Sequence, residues 1–361
     1  MKKELGITIL LAVLCLIVRL NSPQFFHAYN LRNLSGLIGM YGIFSIGAGI
    51  VIITGGIDLS VGSIFALQAV VLSILLVKMG PDHTWHHFLP WPIAALGAML
   101  LVAVVGLIHA LLIAKLRLQA FIVTLCGLLI YRGLARVITD DSTRGYIADG
   151  KQASDAFPFL HWLATGVVGP VKMPFLILLI VGFVMWVVLH RSVYGRYLFA
   201  VGRNEEAARF SGIKTQWVIG GAYVLNMLLV GLASIIHAMD VQSIQPSAHG
   251  QIFELYAIAA AVLGGCSLRG GEGSILGIVL GTALLQLLRN MVNLLGLPSQ
   301  LDYVVTGGVI LAAVIVDEVL SIYVRKGARR ASAAAAAEPV AIRAFPVIPA
   351  LQSKSLDRDN S

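Results

Sequence analysis

Apolar residues run along this chain in long unbroken blocks separated by short polar stretches, with no strict alternation. Blocks of about 20 apolar residues are the length a helix needs to cross a hydrocarbon core, and continuous runs favour helices over barrel strands. Ten such segments are expected, at about 5–20, 33–54, 60–79, 92–114, 119–138, 171–190, 216–239, 254–268, 274–295 and 303–324. The eighth is short for a full crossing. The expected fold is all-α, a polytopic membrane bundle of about ten helices over residues 1–330.

The stretch Gly55-Gly56-Ile57-Asp58-Leu59-Ser60-Val61-Gly62-Ser63 breaks the second and third blocks apart. A glycine costs a helix interior roughly 1 kcal/mol against alanine, so Gly55-Gly56 should end one helix. Asp58 or Ser60 can cap the next. An aspartate at the centre of a lipid-facing helix is costly, so Asp58 belongs at a membrane edge or against a polar cavity. Spacing favours the simpler role, a hairpin tip with a capping acid; the alternative is the lining of a solute path, with Gly55, Gly56, Asp58 and Ser60 on it. A similar run, Gly264-Gly265-Cys266-Ser267-Leu268 with Gly273-Ser274-Ile275, stands at a second hairpin turn. It is either a relic of duplication or a second solution to one steric problem.

Composition agrees with a membrane protein: 58% of the 361 residues are hydrophobic, 12% are charged and the mean hydropathy is +0.87. Soluble domains carry about a quarter charged residues. The net charge of +8 is scattered at segment ends, which is no nucleic-acid signature. With both termini inside, the inner segments hold fourteen basic residues (Lys2, Lys3, Lys115, Arg117, Arg191, Arg196, Arg203, Arg209, Lys214, Arg269, Arg325, Lys326, Arg329, Arg330) against seven outside (Arg19, Arg32, Lys78, Arg136, Arg144, Lys151, Lys172). That asymmetry predicts cytoplasmic termini, with outer loops at 21–32, 80–91, 139–170, 240–253 and 296–302. Cys15, Cys126 and Cys266 show no paired spacing and read as core thiols. The first block resembles a signal peptide, but no small-residue cleavage site follows Leu20, so it is kept as a span. From Ala331 the chain turns low-complexity, and 331–361 reads as a disordered cytoplasmic tail.

Several patterns carry little chemistry. Gly145 to Gln152 nearly spells a phosphate loop, but Gln152 replaces the magnesium-binding hydroxyl and no strand precedes it. His83, His86 and His87 cluster in an outer loop, yet no cysteine or second carboxylate nearby completes a metal site. There is no nucleophile–base motif, so an intramembrane enzyme has little support. Polar residues inside the apolar blocks are Gln68, His109, Arg132, Asn226, Asp240, Glu254, Gln286, Arg289, Asn290 and Asn293. Such groups usually face a bundle interior or a wet cavity. Asn226, Asn290 and Asn293 are candidates either for the solute path or for interhelical hydrogen bonding.

The inner loop 191–215 is the most regular exposed segment. Gly202 to Ile213 reads as one short helix with Asn204 as its cap, Glu205 and Glu206 in its first turn, Arg209 near its last, and Gly212 as its stop. Ala207, Ala208 and Phe210 offer a small surface to a cytoplasmic partner; the candidate docking set is Arg203, Asn204, Glu205, Glu206, Ala207, Ala208, Arg209, Ser211 and Gly212.

Together these residues resemble a family. Thr54 to Ser63, Thr124-Leu125 with Ile130, Arg132-Gly133-Leu134-Ala135, the loop Ala200-Val201-Gly202-Arg203-Asn204 with Ala207-Ala208-Arg209 and Ser211-Gly212-Ile213, Ala257-Ile258-Ala259-Ala260, Leu263 to Leu268, Gly271, Gly273-Ser274, Gly277 and Asn293-Leu294-Leu295-Gly296 look like the signature of permease subunits of ribose-type ABC sugar importers, the binding-protein-dependent inner-membrane components. The resemblance spans about residues 30–320 and departs at Cys126, at Cys266 and in the tail. It implies a permease dimer, either homo- or heteromeric, in the bacterial inner membrane. It further implies a cytoplasmic ABC ATPase that holds ATP-Mg, a periplasmic binding protein that delivers a sugar, and no cofactor on this chain. The rival class is an ion-coupled secondary transporter, which requires broken helices and mid-membrane acids; Asp240, Glu254, Asp302 and Asp317 all read as edge-placed.

Overall fold

The computed structural model describes residues 2–298 and scattered positions from 301 to 315. The tenth expected segment lies largely outside the described residues, and the tail after Arg330 wholly so.

Among the described residues the other nine apolar segments are all helices. In chain order they are α1 (Lys2–Asn21), α2 (Ala28–Ile53), α3 (Val61–Leu76), α4 (Trp91–His109, prolonged by a π-helical turn Ala110–Lys115) and α5 (Ala120–Thr139). The connection after α5 holds the short α6 (Ala153–Ala156) and α7 (Pro158–Thr165). Then come α8 (Met173–His190), α9 (Val193–Arg203), α10 (Glu205–Phe210), α11 (Thr215–Val241), α12 (Phe253–Leu263) and α13 (Ile275–Leu294). Seven are long and apolar enough to cross a membrane; α3 and α12 are shorter.

Helix α2 is the axis of the bundle. Its apolar window is 89% buried, whereas that of α1 is 6% buried, so α2 is enclosed by protein and α1 lies at the margin. Small residues let neighbours approach α2 closely on several sides. A side chain at Gly39 would meet the backbone of Pro174 and Phe175 at the start of α8, and one at Gly47 would meet Asn226 on α11. Gly49 faces Ile278 on α13 and Ala261 on α12. Helix α1 is held by the cluster Val18, Phe25, Leu34 and Leu287, and Ser274 Oγ at the start of α13 donates to Glu4 Oε1 at 2.6 Å.

The two ends of the bundle differ. One carries three small antiparallel ribbons: β1 (Val77–Met79) with β2 (Trp85–His87), β3 (Arg144–Gly145) with β6 (Ser243–Ile244), and β4 (Val167–Val168) with β5 (Val171–Lys172). The third expected helix is therefore shorter than read, because Val77–Met79 extends into β1. Trp85, Trp91 and Trp162 gather at this ribbon end, with Trp91 stacked on Phe159 at 4.8 Å. The phosphate-loop look-alike is a tight turn here, in which Ala148 and Lys151 pair and Gly150 takes φ +72.

At the other end, the loop 191–215 holds two helices where one was expected. Helix α9 was missed; Ser192 caps it by accepting from the Gly195 amide at 3.1 Å. Helix α10 follows the sequence reading: Asn204 Oδ1 accepts from the Ala207 amide at 2.9 Å, and Gly212 closes it with φ +84.

Candidate functional site

The tip between α2 and α3 and the tip between α12 and α13 share one geometry. Gly55 N donates to Ile52 O at 2.8 Å and Gly56 N to Val51 O at 3.2 Å. Gly265 N donates to Val262 O at 2.8 Å and Cys266 N to Ala261 O at 2.9 Å. Gly55 and Gly265 take φ +84 and +90, where a Cβ is strained. The two sequence echoes are thus one helix-ending motif, with Gly55 matching Gly265 and Gly56 matching Cys266.

Both tips meet the loop that carries α10. Gly271 N donates to Ile53 O at 2.8 Å. A side chain at Gly202 would collide with Ile53 O and Gly271 N, and one at Gly270 would collide with Gly202 O and Gly55. The backbone before α10 is therefore wedged against both hairpin tips, with no room for a side chain. Helix α10 itself is exposed on one face: Arg203, Asn204, Glu205, Glu206, Ala207, Arg209, Ser211 and Gly212 are open, and Phe210 is 85% exposed. Ala208 is buried, which corrects its assignment to the open docking surface.

Behind α10 a cleft of about 330 Å³ is lined by Thr54, Gly55, Gly56, Arg117, Glu205, Arg209 and Tyr223, among others. Asp58 is not among its lining residues, and the capping expectation for it is overturned. Asp58 is 3% exposed. Its Oδ1 accepts from Ser60 N at 2.9 Å and Ser60 Oγ at 2.7 Å, both ahead of the helix, while the cap position Ser60 makes no side-chain cap bond. Asp58 Oδ2 accepts from Asn226 Nδ2 on α11 at 2.9 Å and stands 3.7 Å from His109 Nδ1 on α4. His109 Nε2 pairs with Tyr131 OH on α5 at 3.1 Å. A buried carboxylate is tolerated when hydrogen bonds and a cationic or polar partner surround it, and this one ties α3, α4, α5 and α11 together. His109 Nδ1, Asn226 Oδ1 and Tyr223 OH around it have no hydrogen-bond partner. Tyr131 and Tyr223 were missed because nothing in a lone tyrosine within an apolar run distinguishes a polar network from core packing.

The other asparagines go elsewhere. Asn290 and Asn30 exchange amide bonds at 2.7 and 3.2 Å, and Asn293 is exposed. Asn290 and Asn293 therefore do not join Asp58, and Asn290 acts as interhelical hydrogen-bonding glue.

Deeper still, two helices begin inside the bundle. Arg132, near the middle of α5, donates to Pro246 O at 3.0 Å, His249 O at 2.5 Å and Gly62 O at 3.2 Å. Gly62 opens α3, and residues 245–252 lead into α12. The Glu254 carboxylate in the first turn of α12 lies against Gly62, so that a Cβ there would strike it. Glu254 is thus at mid-depth and not at an edge, which corrects the sequence reading. His237 and His249 stack at 5.0 Å beside Phe65. A second cleft, about 260 Å³, reaches His237 from the ribbon end and is lined also by Asn33, Lys172 and Asp240.

At the ribbon end, His86 lies between two carboxylates. Its Nε2 is 3.0 Å from Asp82 Oδ1 and its Nδ1 is 2.9 Å from Asp149 Oδ1. The second carboxylate that the local sequence lacked comes from 63 positions away, and it engages His86 as an ion-pair partner. Among the described residues no three His, Cys, Asp or Glu side chains gather as a metal site.

The chain is 40% identical over 312 residues to the ribose import permease of Escherichia coli K12, covering 86% of this chain and 92% of that one. It is 37% identical over 315 residues to the ribose import permease of Bacillus subtilis 168, covering 87% and 92%. It is 32% identical over 324 residues to the D-allose transport system permease protein of Escherichia coli K12, covering 88% and 92%. No solved structure matches it. Residues 30–314, which hold the wedged tips, the buried Asp58 network and the mid-depth junction, match the family described as branched-chain amino acid transport system / permease component, and the chain belongs to that family.

Proposed function

We propose that this chain is the membrane permease subunit of an ATP-driven ABC importer that moves a monosaccharide or sugar-like solute from periplasm to cytoplasm. The relatives are sugar permeases by name, ribose and D-allose among them, which supports the solute class. In this reading the bundle sits in the bacterial inner membrane, with α10 and both termini on the cytoplasmic side, as the basic residues favour. A second permease copy, a cytoplasmic ABC ATPase that carries ATP-Mg, and a periplasmic sugar-binding protein complete the machine. This chain performs no covalent chemistry and holds no cofactor of its own.

The observation that carries the reading is the wedge beneath α10. The backbone at Gly202 touches Ile53 and Gly271, so a displacement of α10 cannot be absorbed in a loose loop. It is passed to the tips of both hairpins and, through Gly56, to the Asp58 network. Gly55, Gly56, Asp58, Ser60 and Asn226 would form the closure of the solute path on the cytoplasmic side.

The test is Ala207→Trp. Ala207 is exposed, so tryptophan leaves the fold intact while blocking a seat in a partner's groove. Loss of ATPase co-purification and of sugar uptake, with normal membrane content of the subunit, is the expected result. Unchanged co-purification and uptake would show that α10 is not the coupling element. An ion-coupled transporter would share the internally started helices. Uptake that stops without ATP but survives an uncoupler separates the two.

A further inference from the structure

Irregular backbone at membrane depth is stable only where protein buries it or where it lines water, because lipid cannot satisfy its amides and carbonyls. Residues 245–252 are such backbone. Arg132 from the middle of α5 binds the carbonyls of Pro246 and His249, and α12, with its eleven residues, is about 16 Å long and covers only half of a ~30 Å core. Yet Gln245, Ala248 and Gln251 are exposed, and Arg132 and Glu254 are only partly covered. A subunit that left this face to lipid would pay for an open loop, a guanidinium and a carboxylate at once.

We propose that this face, built from Arg132, Glu254, Gln245 and Gln251, is the wall of the aqueous solute path and contacts the solute. The inference rests on the importer reading and names the chemistry at its mid-depth. Arg132 and Glu254 both meet Gly62, the first through the carbonyl and the second beside the Cα. A positive and a negative group held side by side select a neutral solute rich in hydroxyls, since vicinal hydroxyls can donate to the carboxylate and accept from the guanidinium together. An anion or a cation of the same size meets one like charge. The α3 and α12 amino ends converge on the same place and favour the Glu254 carboxylate. The path by this account runs along the open side of the subunit, past the Arg132 junction.

The test uses the assembled transporter with Cys15, Cys126 and Cys266 replaced by alanine. Gln251→Cys is treated with a membrane-impermeant methanethiosulfonate reagent, with Leu100→Cys on the exposed apolar face of α4 as reference. The expected result is modification of Gln251→Cys at least tenfold faster than of Leu100→Cys. In parallel, Glu254→Gln is expected to lower D-ribose uptake tenfold or more while the ATPase still co-purifies. Equal modification rates would place this face in lipid or in a dry subunit contact and overturn the proposal. Full uptake by Glu254→Gln would overturn the solute contact. If the unaltered transporter takes up no monosaccharide, the sugar reading fails by itself, and the modification rates still decide the aqueous wall.

Discussion

Asn226 Nδ2 donates to Asp58 Oδ2 at 2.9 Å inside the bundle, across 168 positions of the chain. The bond turns the break between α2 and α3 from a surface tip into a fixed point on α11. The carboxylate joins α11 and α4 directly and α5 through His109 and Tyr131.

Replacing Asp58 separates geometry from charge. In Asp58→Asn an amide turn at residue 226 can restore the bond, since Asn226 Oδ1 is free to accept. A loss of about 1 kcal/mol is expected. Asp58→Leu strands the Asn226 amide and the Ser60 hydroxyl in the core, at a cost on the order of 3 kcal/mol or more. Thermal melting of the purified subunit in nanodiscs measures both. A leucine variant that melts with the wild type would show that the network adds no stability.

The wedge beneath α10 is equally specific. Gly202→Ala forces a methyl group into Ile53 O and Gly271 N, so it should lower subunit yield even though alanine is the better helix former. Asn204→Ala removes only the cap, at about 1 kcal/mol, and should fray the six-residue α10 while the bundle stands. Proteolysis near residue 210, compared with melting of the whole subunit, distinguishes the two. Equal effects on melting would contradict the assignment.

The clasp at the ribbon end is sensitive to pH. The hydrogen bond to Asp82, then that to Asp149, holds the His86 pKa above its ordinary value, and Thr84 and His86 hold Asp82 well below the usual carboxylate range. The His86 contribution is complete below about pH 6.5 and fades as pH rises through the raised value. The Asp82 contribution is complete above about pH 3.9 and fades as pH falls. The clasp, which includes the Asp149 N to Trp85 O bond at 2.7 Å, is thus tightest between these limits. Spin labels at positions 83 and 151 should show a broader distance distribution at pH 9 than at pH 6, and His86→Ala should be broad at both. A distribution indifferent to pH in the unaltered chain would refute the clasp.

Truncation after Arg330 tests the tail. The sequence of residues 331–361 is short, alanine-rich and of mixed composition, so the shortened chain is expected to transport as the full chain does. Inactivity of a well-expressed truncate would show that the tail engages a partner.

The sequence by itself determined the long apolar helices of the described residues and several of their ends. A run of about 20 apolar residues has few other solutions in lipid, glycine pairs stop helices, and Asn204 three residues before Ala207 is a cap wherever the rest of the chain goes. Those are local effects, complete within a turn or two. Regular exposed α10 was therefore legible, while the adjoining α9 was lost in what read as loop. Tertiary structure alone decided the partners. Asp58 looked like a cap because its neighbours in sequence are helix-starting residues; only packing brings Asn226 and His109 to it. Glu254 looked like an edge residue because it stands first in its apolar segment, and only the loop held by Arg132 shows that α12 starts inside the bundle. His86 looked short of a second carboxylate until Asp149 arrived from the next connection. Each of these pairings joins residues far apart in the chain, where no spacing rule reaches; at Asp58 burial also makes an unpaired carboxylate too costly to leave.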